Sequence, residues 1–583
     1  MKDMIQDTDR NFCAILLDVL ERGGVKDVVC CPGSRNAPLL IAAAAREGLR
    51  KHNVVDERSA AFMALGIAAV SKKPVAIICT SGTALLNFSP AVAEAFYQSV
   101  PLIVISADRP EQWIDQDDSQ TLRQFEALSN FVKRSYELPA WGNDDKELLW
   151  YANRIANDAM IEALSRRKGP VHINVRLGEP LGNKIQRELL SPRMIEMIPS
   201  DGIINKEVVK GLGERLASSK VMLVAGFMQP DSRLHKAVGE FCSLPNVVAM
   251  TETLSNLHLS ENAYSVDSVL TAFSNEQLDG MAPDIVVSIG GSLVSRKLKE
   301  YLRRNSHRCE HWALGWGHTT SDCFMALTKR VEADPSRLLH QLAGVVRKQL
   351  SKHEGIGKCG YGKMWGEARI AARDVKHGFI SSAPWSELKA FEIIKESLPA
   401  DVNLFLSNGT TVRYDQIVGE RTPHATYCNR GVSGIDGSCS TAVGGAKMYN
   451  GMTVMISGDM SMAYDISSLG LPEIPDRMKI IVIDNSGGGI FRFIPSTSSL
   501  TERERYFCCA PNLPLQHLAE GYGWEYAEAN DENSLRNNLS QMLASKSKGI
   551  LKVVCDGELS AQLLKQYMAL RVEGFELIPT ANK

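Results

Sequence analysis

Gly458-Asp459-Met460-Ser461, read with Asp484-Asn485-Ser486-Gly487-Gly488-Gly489-Ile490-Phe491, decides the fold of this chain. Residues 452–457 precede the first run and residues 479–483 the second; both are short apolar stretches of the kind that form buried parallel strands. Asp459 and Asn485 therefore each stand just past a strand's carboxyl end, one strand-helix-strand crossover apart. That edge is where open α/β sheets bind ligands. A carboxylate, an amide oxygen and a loop carbonyl, for which Gly487 is the natural donor, make half of an octahedral oxygen cage. Water and two phosphate oxygens complete such a cage around Mg²⁺. The glycines let backbone come close to those phosphates. Taken alone, a Gly-Asp after a strand is only a helix start with Asp459 as N-cap. The crossover spacing together with Asn-x-Gly-Gly favours the metal-diphosphate reading.

The chain has 583 residues, too many for one core, and the usual size prior gives about three domains. Its 44% hydrophobic and 23% charged content is ordinary for a globular protein. A net charge of -2 argues against a nucleic-acid or membrane-surface protein, so cationic clusters must be local and aimed at particular anions. The 13 cysteines are scattered without a Cys-x-x-Cys, which speaks against a zinc site and against a secreted disulfide framework. Buried free thiols are expected instead. Residues 1–7 contain no apolar signal-peptide core, and no run approaches the roughly 20 residues of a membrane span. The expectation is a cytoplasmic, enzyme-like chain with no membrane span.

Helices and apolar strands alternate from residue 10 to about 190, as in a parallel sheet. A helix is expected over Asn11–Arg22, and strands over residues 25–31, 53–55, 75–79 and 102–106. Each strand runs into a polar cluster: Pro32-Gly33-Ser34-Arg35-Asn36, Asp56-Glu57-Arg58, Thr80-Ser81-Gly82-Thr83 and Ala107-Asp108-Arg109-Pro110. All four clusters are expected on one rim, with Asn87 one turn into the helix after the third. A second α/β unit has strands at 221–225, 246–250 and 284–289. Its Gly290-Gly291 lacks the Gly-x-Gly-x-x-Gly spacing of a dinucleotide turn, so no nucleotide is expected there. The organisation read from the sequence is a first domain at 1–195, a central Rossmann-like domain at 196–350, a polar linker at 351–385 and a third domain at 386–583. All three domains are expected to be doubly wound α/β sheets.

These motifs, with Asn429-Arg430-Gly431-Val432-Ser433-Gly434-Ile435-Asp436-Gly437, resemble those of thiamine-diphosphate (ThDP) enzymes, and in their order those of the menaquinone-pathway MenD family. The resemblance is strong in the first and third domains and weaker in the middle. Met460 stands where the wider superfamily usually has a glycine, Gly409 where a serine is often found, and Ser119 where an asparagine is common. The resemblance implies a pyrimidine-binding first domain, a degenerate central domain and a diphosphate-binding third domain. It also implies a cofactor held between two subunits, hence a homodimer and in some cases a tetramer.

A ThDP enzyme needs a carboxylic acid against the cofactor's pyrimidine ring. The family places that acid at Glu57, which read alone would be a solvated surface charge. Ile435 resembles the bulky residue that bends the cofactor. The cofactor-binding set implied by the resemblance is Thr80, Ser81, Gly82, Thr83, Asn87, Ser407, Asn408, Ser433, Gly434, Ile435, Gly458, Asp459, Met460, Ser461, Asn485, Gly487 and Gly488. Asp459, Asn485 and Gly487 would hold Mg²⁺ or, alternatively, Mn²⁺.

The implied substrates, 2-oxoglutarate and isochorismate, are both dicarboxylates, which suit the planar fork of arginine. Ser34, Arg35, Arg109 and Gln120 are implied for isochorismate, with Arg296 or Lys297 reaching in from the middle domain. Arg413 and Arg430 are implied for the oxoglutarate carboxylate, and Phe491 and Ile494 for the apolar wall. Any one of these arginines alone would be an ordinary surface ion pair. A loop closing over the site is expected between Pro495 and Pro511. The nearest alternative is another ThDP-dependent 2-oxo-acid decarboxylase or synthase, of acetolactate-synthase type; a more distant one is a ThDP-fold protein without activity.

Overall fold

The computed structural model describes residues 4–140, 145–188, 190–200, 202–257, 259, 263–317, 321–352, 360–418 and 424–575. Three six-stranded, wholly parallel sheets follow one another along the chain, each within one of the three expected domains. The first runs, in spatial order, Arg50–Asn53, Asp27–Cys30, Val75–Cys79, Leu102–Asp108, Val171–Arg176 and Ser135–Leu138. The third repeats that order with Ala425–Cys428, Asn403–Leu406, Thr453–Gly458, Met478–Asp484, Gly549–Val554 and Glu525–Ala529. In both, the order reverses between the first and third strands of the domain, and a crevice opens there at the carboxyl ends.

The middle sheet is ordered Ala263–Ser265, Val247–Thr251, Val221–Ala225, Ile285–Ile289, Glu310–Leu314 and Leu327–Val331, the dinucleotide-fold order. Its crevice is filled by its own loop. A Cβ at Gly226 would lie 2.1 Å from the carbonyl oxygen of Gly291, and the Gly291 N–H donates to Phe227 O at 2.7 Å. The expectation of no nucleotide turn there agrees with this packing.

The apolar runs become strands because both faces of each parallel sheet are covered, so a continuous hydrophobic stretch is stable in them. Residues 75–79 and 221–225 form strands as read. The run expected at 53–55 begins earlier, at Arg50–Asn53, and leaves Val55 79% exposed. The linker reading of 351–385 is corrected in part. Residues 353–359 lie outside the described residues, but Tyr361–Ser382 is one 22-residue helix. Its Tyr361, Trp365, Ala368 and Ala372 are buried in the middle domain's core, an i, i+4, i+7, i+11 stripe hidden by the polar residues between them. Val572 and Phe575 pack against the same core, so the end of the described chain returns to the middle domain.

Helices Glu57–Ser71 and Ser438–Met448 join the first domain to the third with their backbones nearly touching. A Cβ at Gly66 would lie 1.9 Å from the Thr441 carbonyl oxygen, and one at Gly444 would lie 2.0 Å from that of Met63. One hydrophobic core consequently runs through both domains. Among the described residues every cysteine is free, and all but Cys323 and Cys509 are buried. No described helix is long and apolar enough to cross a membrane.

Candidate active site

Gly458 is the N-cap and Asp459 the first residue of the helix Asp459–Tyr464, directly after its strand. This corrects the position of Asp459 in the helix-start reading: its carboxylate does not cap but turns across the crevice. Asp459 Oδ2 accepts the N–H of Gly487 and Oδ1 that of Met460, each at 2.7 Å. The two halves of the opening motif therefore meet. Burial pushes the Asp459 carboxyl up to about 7, with neighbouring Asp484 adding to the rise and the two N–H donors opposing it.

Asn485 follows its strand immediately. Its Nδ2 donates to Glu387 Oε1 at 2.7 Å, while its Oδ1 is buried with no hydrogen-bond partner among the described residues. Gly487 has φ +112°, and a Cβ there would lie 2.2 Å from Cys508 O, so only glycine fits. An orphaned amide oxygen beside a carboxylate that burial makes hard to ionise is a donor set that suits a divalent cation. Phe491 lies over Gly488, where a Cβ would meet its ring at 2.6 Å and the Met460 sulfur at 3.2 Å. Ile494 follows the short helix Ile490–Phe493 and is half-buried.

The loop carrying Ser433, Gly434 and Ile435 is tied down from three sides. Asn408 Nδ2 donates to Asn429 O and Gly434 O, both at 2.6 Å, so the Asn408 side chain is committed to holding this loop. Ser461 Oγ donates to Ile435 O at 2.7 Å. From the first domain, buried Glu94 accepts the N–H groups of Gly431 and Val432 at 2.5 and 2.7 Å. Ser407 Oγ accepts the N–H of Gly458 at 3.2 Å, which ties the first strand of this domain to the turn that carries Asp459.

In the first domain the polar clusters share one rim, as expected. Gly33 rests on Thr80, whose threonine carbons and hydroxyl a Cβ would strike at 2.2–2.7 Å. The Thr80 Oγ1 is buried without a partner among the described residues. Gln120 Nε2 donates to Ser81 O at 3.1 Å, and Gly82 N–H to Gln124 Oε1 at 2.7 Å. Glu57 is half-buried as the first residue of its helix, where Asp56, not Glu57, caps by accepting from Arg58 and Ser59 N–H. Its charge adds to the rise that burial gives the thiols of Cys31 and Cys79. Ser34, Thr83 and Asn87 are exposed.

The expected cations fall into pairs. Arg35 is buried, donates to Leu177 O at 2.9 Å and reaches Glu179 at 3.2 Å, with its Nε unpartnered among the described residues. Burial lowers its pKa, and the positive Arg109 lowers it further. Arg109 in turn is held by Ser119 O at 3.0 Å and Asp118 at 2.8 Å. In the third domain Arg413 is depressed by burial and then by Arg430, whose Nη1 donates to Asn408 Oδ1 at 3.0 Å. Two guanidiniums that repel each other in partial burial suit an anion with two carboxylate ends to meet. Arg296 and Lys297 are not brought into either pair. They are 82% and 54% exposed and both bind Glu300, at 2.7 and 3.2 Å.

Sequence reasoning passed over three residues here. Gln124 links Gly82 to Ala107 O and Asn174; Arg492 grips the carbonyls of Asn485 and Ser486; Glu387 holds Asn485. Only Arg492 carried a sequence signal, since it lies inside the glycine-rich turn's helix. The expected closing segment 495–511 contains the helix Pro495–Ser498 and a wide turn at Arg503–Cys508. It is fastened by Arg492 to Glu504 at 2.7 Å and by Gly488 N–H to Cys508 O at 2.8 Å. A separate cavity of about 750 Å³, between the long helix Tyr361–Ser382 and the third domain, shares none of these residues.

Residues 10–127 match the family model described as thiamine pyrophosphate enzyme, N-terminal TPP binding domain. The chain is 38% identical over 567 residues to the 2-succinyl-5-enolpyruvyl-6-hydroxy-3-cyclohexene-1-carboxylate (SEPHCHC) synthase of Porphyromonas gingivalis, covering 96% of this chain and 97% of that one. It is 35% identical to the protein of the same name from Flavobacterium johnsoniae, over 95% of this chain and 97% of the other. The Bacteroides fragilis protein so named is 33% identical, over 96% and 99%. With near-complete coverage on both sides, the chain belongs to the SEPHCHC synthase family of ThDP enzymes.

Proposed function

We propose that this protein is a menaquinone-biosynthesis SEPHCHC synthase that decarboxylates 2-oxoglutarate and adds the resulting succinyl unit to isochorismate, with release of CO₂. When bound, ThDP would supply the electron sink that decarboxylation of a 2-oxo acid requires. Glu57 would hold a proton at its carboxyl against the cofactor's pyrimidine ring. Asp459, Asn485 and the Gly487 carbonyl would hold Mg²⁺ or Mn²⁺. Ser407, Gly458, Ser461 and Gly488 would hold the diphosphate, and Ile435 would pack against the cofactor. Arg413 and Arg430 orient the oxoglutarate carboxylate. Arg35 and Arg109, with Ser34 and Gln120, orient isochorismate, while Phe491 and Ile494 exclude water.

The observation that carries the choice of substrates is the pairing of partly buried arginines in two different domains. An apolar or smaller acceptor would need neither pair. Val55, Leu86, Tyr97, Val432 and Tyr464 are large apolar residues between 45% and 79% exposed beside these motifs, surface that a second copy would cover. A homodimer, with the first domain of one copy completing the third of the other, is the unit we propose, with a tetramer as its further assembly. The free cysteines favour work in the reducing cytoplasm.

The test is to incubate purified protein with ThDP, Mg²⁺, 2-oxoglutarate and isochorismate. CO₂ release and a succinyl adduct are expected, and pyruvate should not replace 2-oxoglutarate. Turnover of pyruvate instead would move the protein to the acetolactate-type synthases.

A further inference from the structure

Beneath the candidate metal cluster lies a carboxylate that no motif singles out. Glu387 begins the helix Glu387–Ser397 behind its N-cap Ser386 and is 2% exposed. Its Oε1 accepts from Asn485 Nδ2 at 2.7 Å, its Oε2 from Thr410 Oγ1 at 3.2 Å, and its own N–H is held by Ser560 Oγ at 3.0 Å. The guanidinium whose charge reaches it, Arg492, is committed to Glu504 and to the carbonyls of Asn485 and Ser486. A buried carboxylate met mainly by neutral donors is costly unless a cation lies close behind them.

An ionised carboxylate can only accept, so it selects the NH₂ end of an asparagine amide. With that end captured, the other end, Oδ1, is the one left buried and unpartnered. The amide packs directly against Gly489, where a Cβ would lie 2.4 Å from Asn485 Nδ2, and Arg492 donates to the Asn485 main-chain carbonyl at 2.8 Å. Carboxylates that orient a metal ligand in this way also raise its basicity.

We propose that Glu387 is a positioning residue: it locks the amide of Asn485 with its oxygen toward the divalent ion, and its charge, relayed through that amide, strengthens the ion's binding. This rests on the ThDP-and-metal reading given above. Glu387→Gln keeps the shape and an acceptor but removes the charge; Glu387→Ala removes both.

Calorimetric titration of Mg²⁺, and separately of Mn²⁺, into each protein with ThDP present is the test. The apparent Kd for the ion should rise about 10–100-fold in Glu387→Ala and by less in Glu387→Gln. Turnover of both variants should return toward the wild-type kcat as Mg²⁺ is raised, a rescue that a merely structural defect would not show. If the wild type shows no ion-dependent ThDP binding, the cofactor reading itself is wrong. If the wild type binds and both variants match it, this inference alone is overturned. Should Glu387→Ala fail to fold, the near-isosteric Gln variant decides by the same two readouts.

Discussion

Glu57 sits at a strand-to-helix junction of the first domain, half-buried, as the first residue of its helix. Replacing it with Gln keeps the shape but removes the acid, and kcat should fall about 10²–10⁴-fold while ThDP still binds. CO₂ release measured beside a cofactor titration separates the two effects. The arginine pairs should divide by substrate. Arg413→Ala should raise the KM for 2-oxoglutarate about 10–100-fold, the equivalent of one or two charge-assisted hydrogen bonds, and leave that for isochorismate near wild type. Arg109→Ala should do the reverse. Steady-state kinetics with one substrate varied at a time checks both. At this scale the site was largely legible, because ligand-type residues fall at strand ends that apolar runs announce. Glu387 was not, since nothing in Ser386-Glu387 signals a partner 98 positions later.

Among elements, the crossing of Glu57–Ser71 with Ser438–Met448 sets how the first and third domains meet. Gly444→Val would drive a branched side chain into the Met63 carbonyl, 2.0 Å from where even a Cβ would lie. A loss of about 1–3 kcal/mol is expected, measured by urea unfolding against wild type. In the middle domain, the loop that leads to Arg296 hangs from Glu252, which accepts the N–H groups of Val294 and Ser295 at 2.7 and 2.6 Å. Burial lifts its folded pKa from 4.5 to about 7, against those two donors. The folded chain thus holds this proton more tightly than the unfolded one. The favourable contribution is fully present below pH 4.5 and is lost as pH rises to about 7, worth about 3 kcal/mol across that window. Glu252→Gln should flatten the fall of melting temperature over pH 4.5–7. The helix Tyr361–Ser382 reads as linker in the sequence because the polar and glycine residues between its buried positions hide the stripe.

For the whole molecule, the proposed sharing of each site between two copies gives a direct experiment. Glu57→Gln and Asp459→Ala should each be inactive alone. Mixed and allowed to exchange subunits, they should regain about a quarter of wild-type activity, because half the dimers would carry one site made of two intact halves. A site built within a single copy would regain none. The sequence by itself determined the three parallel-sheet units, the strand ends that carry Asp459, Asn485, Glu57 and the arginines, and the family, because these depend on local hydrophobic runs and on short motifs. Only the tertiary structure decided that Arg109 lies near enough to act on Arg35 and Arg430 on Arg413, and that Glu387 grips Asn485. Those pairings join residues far apart in the chain, and their geometry is set by how helices and sheets pack, which no local pattern encodes.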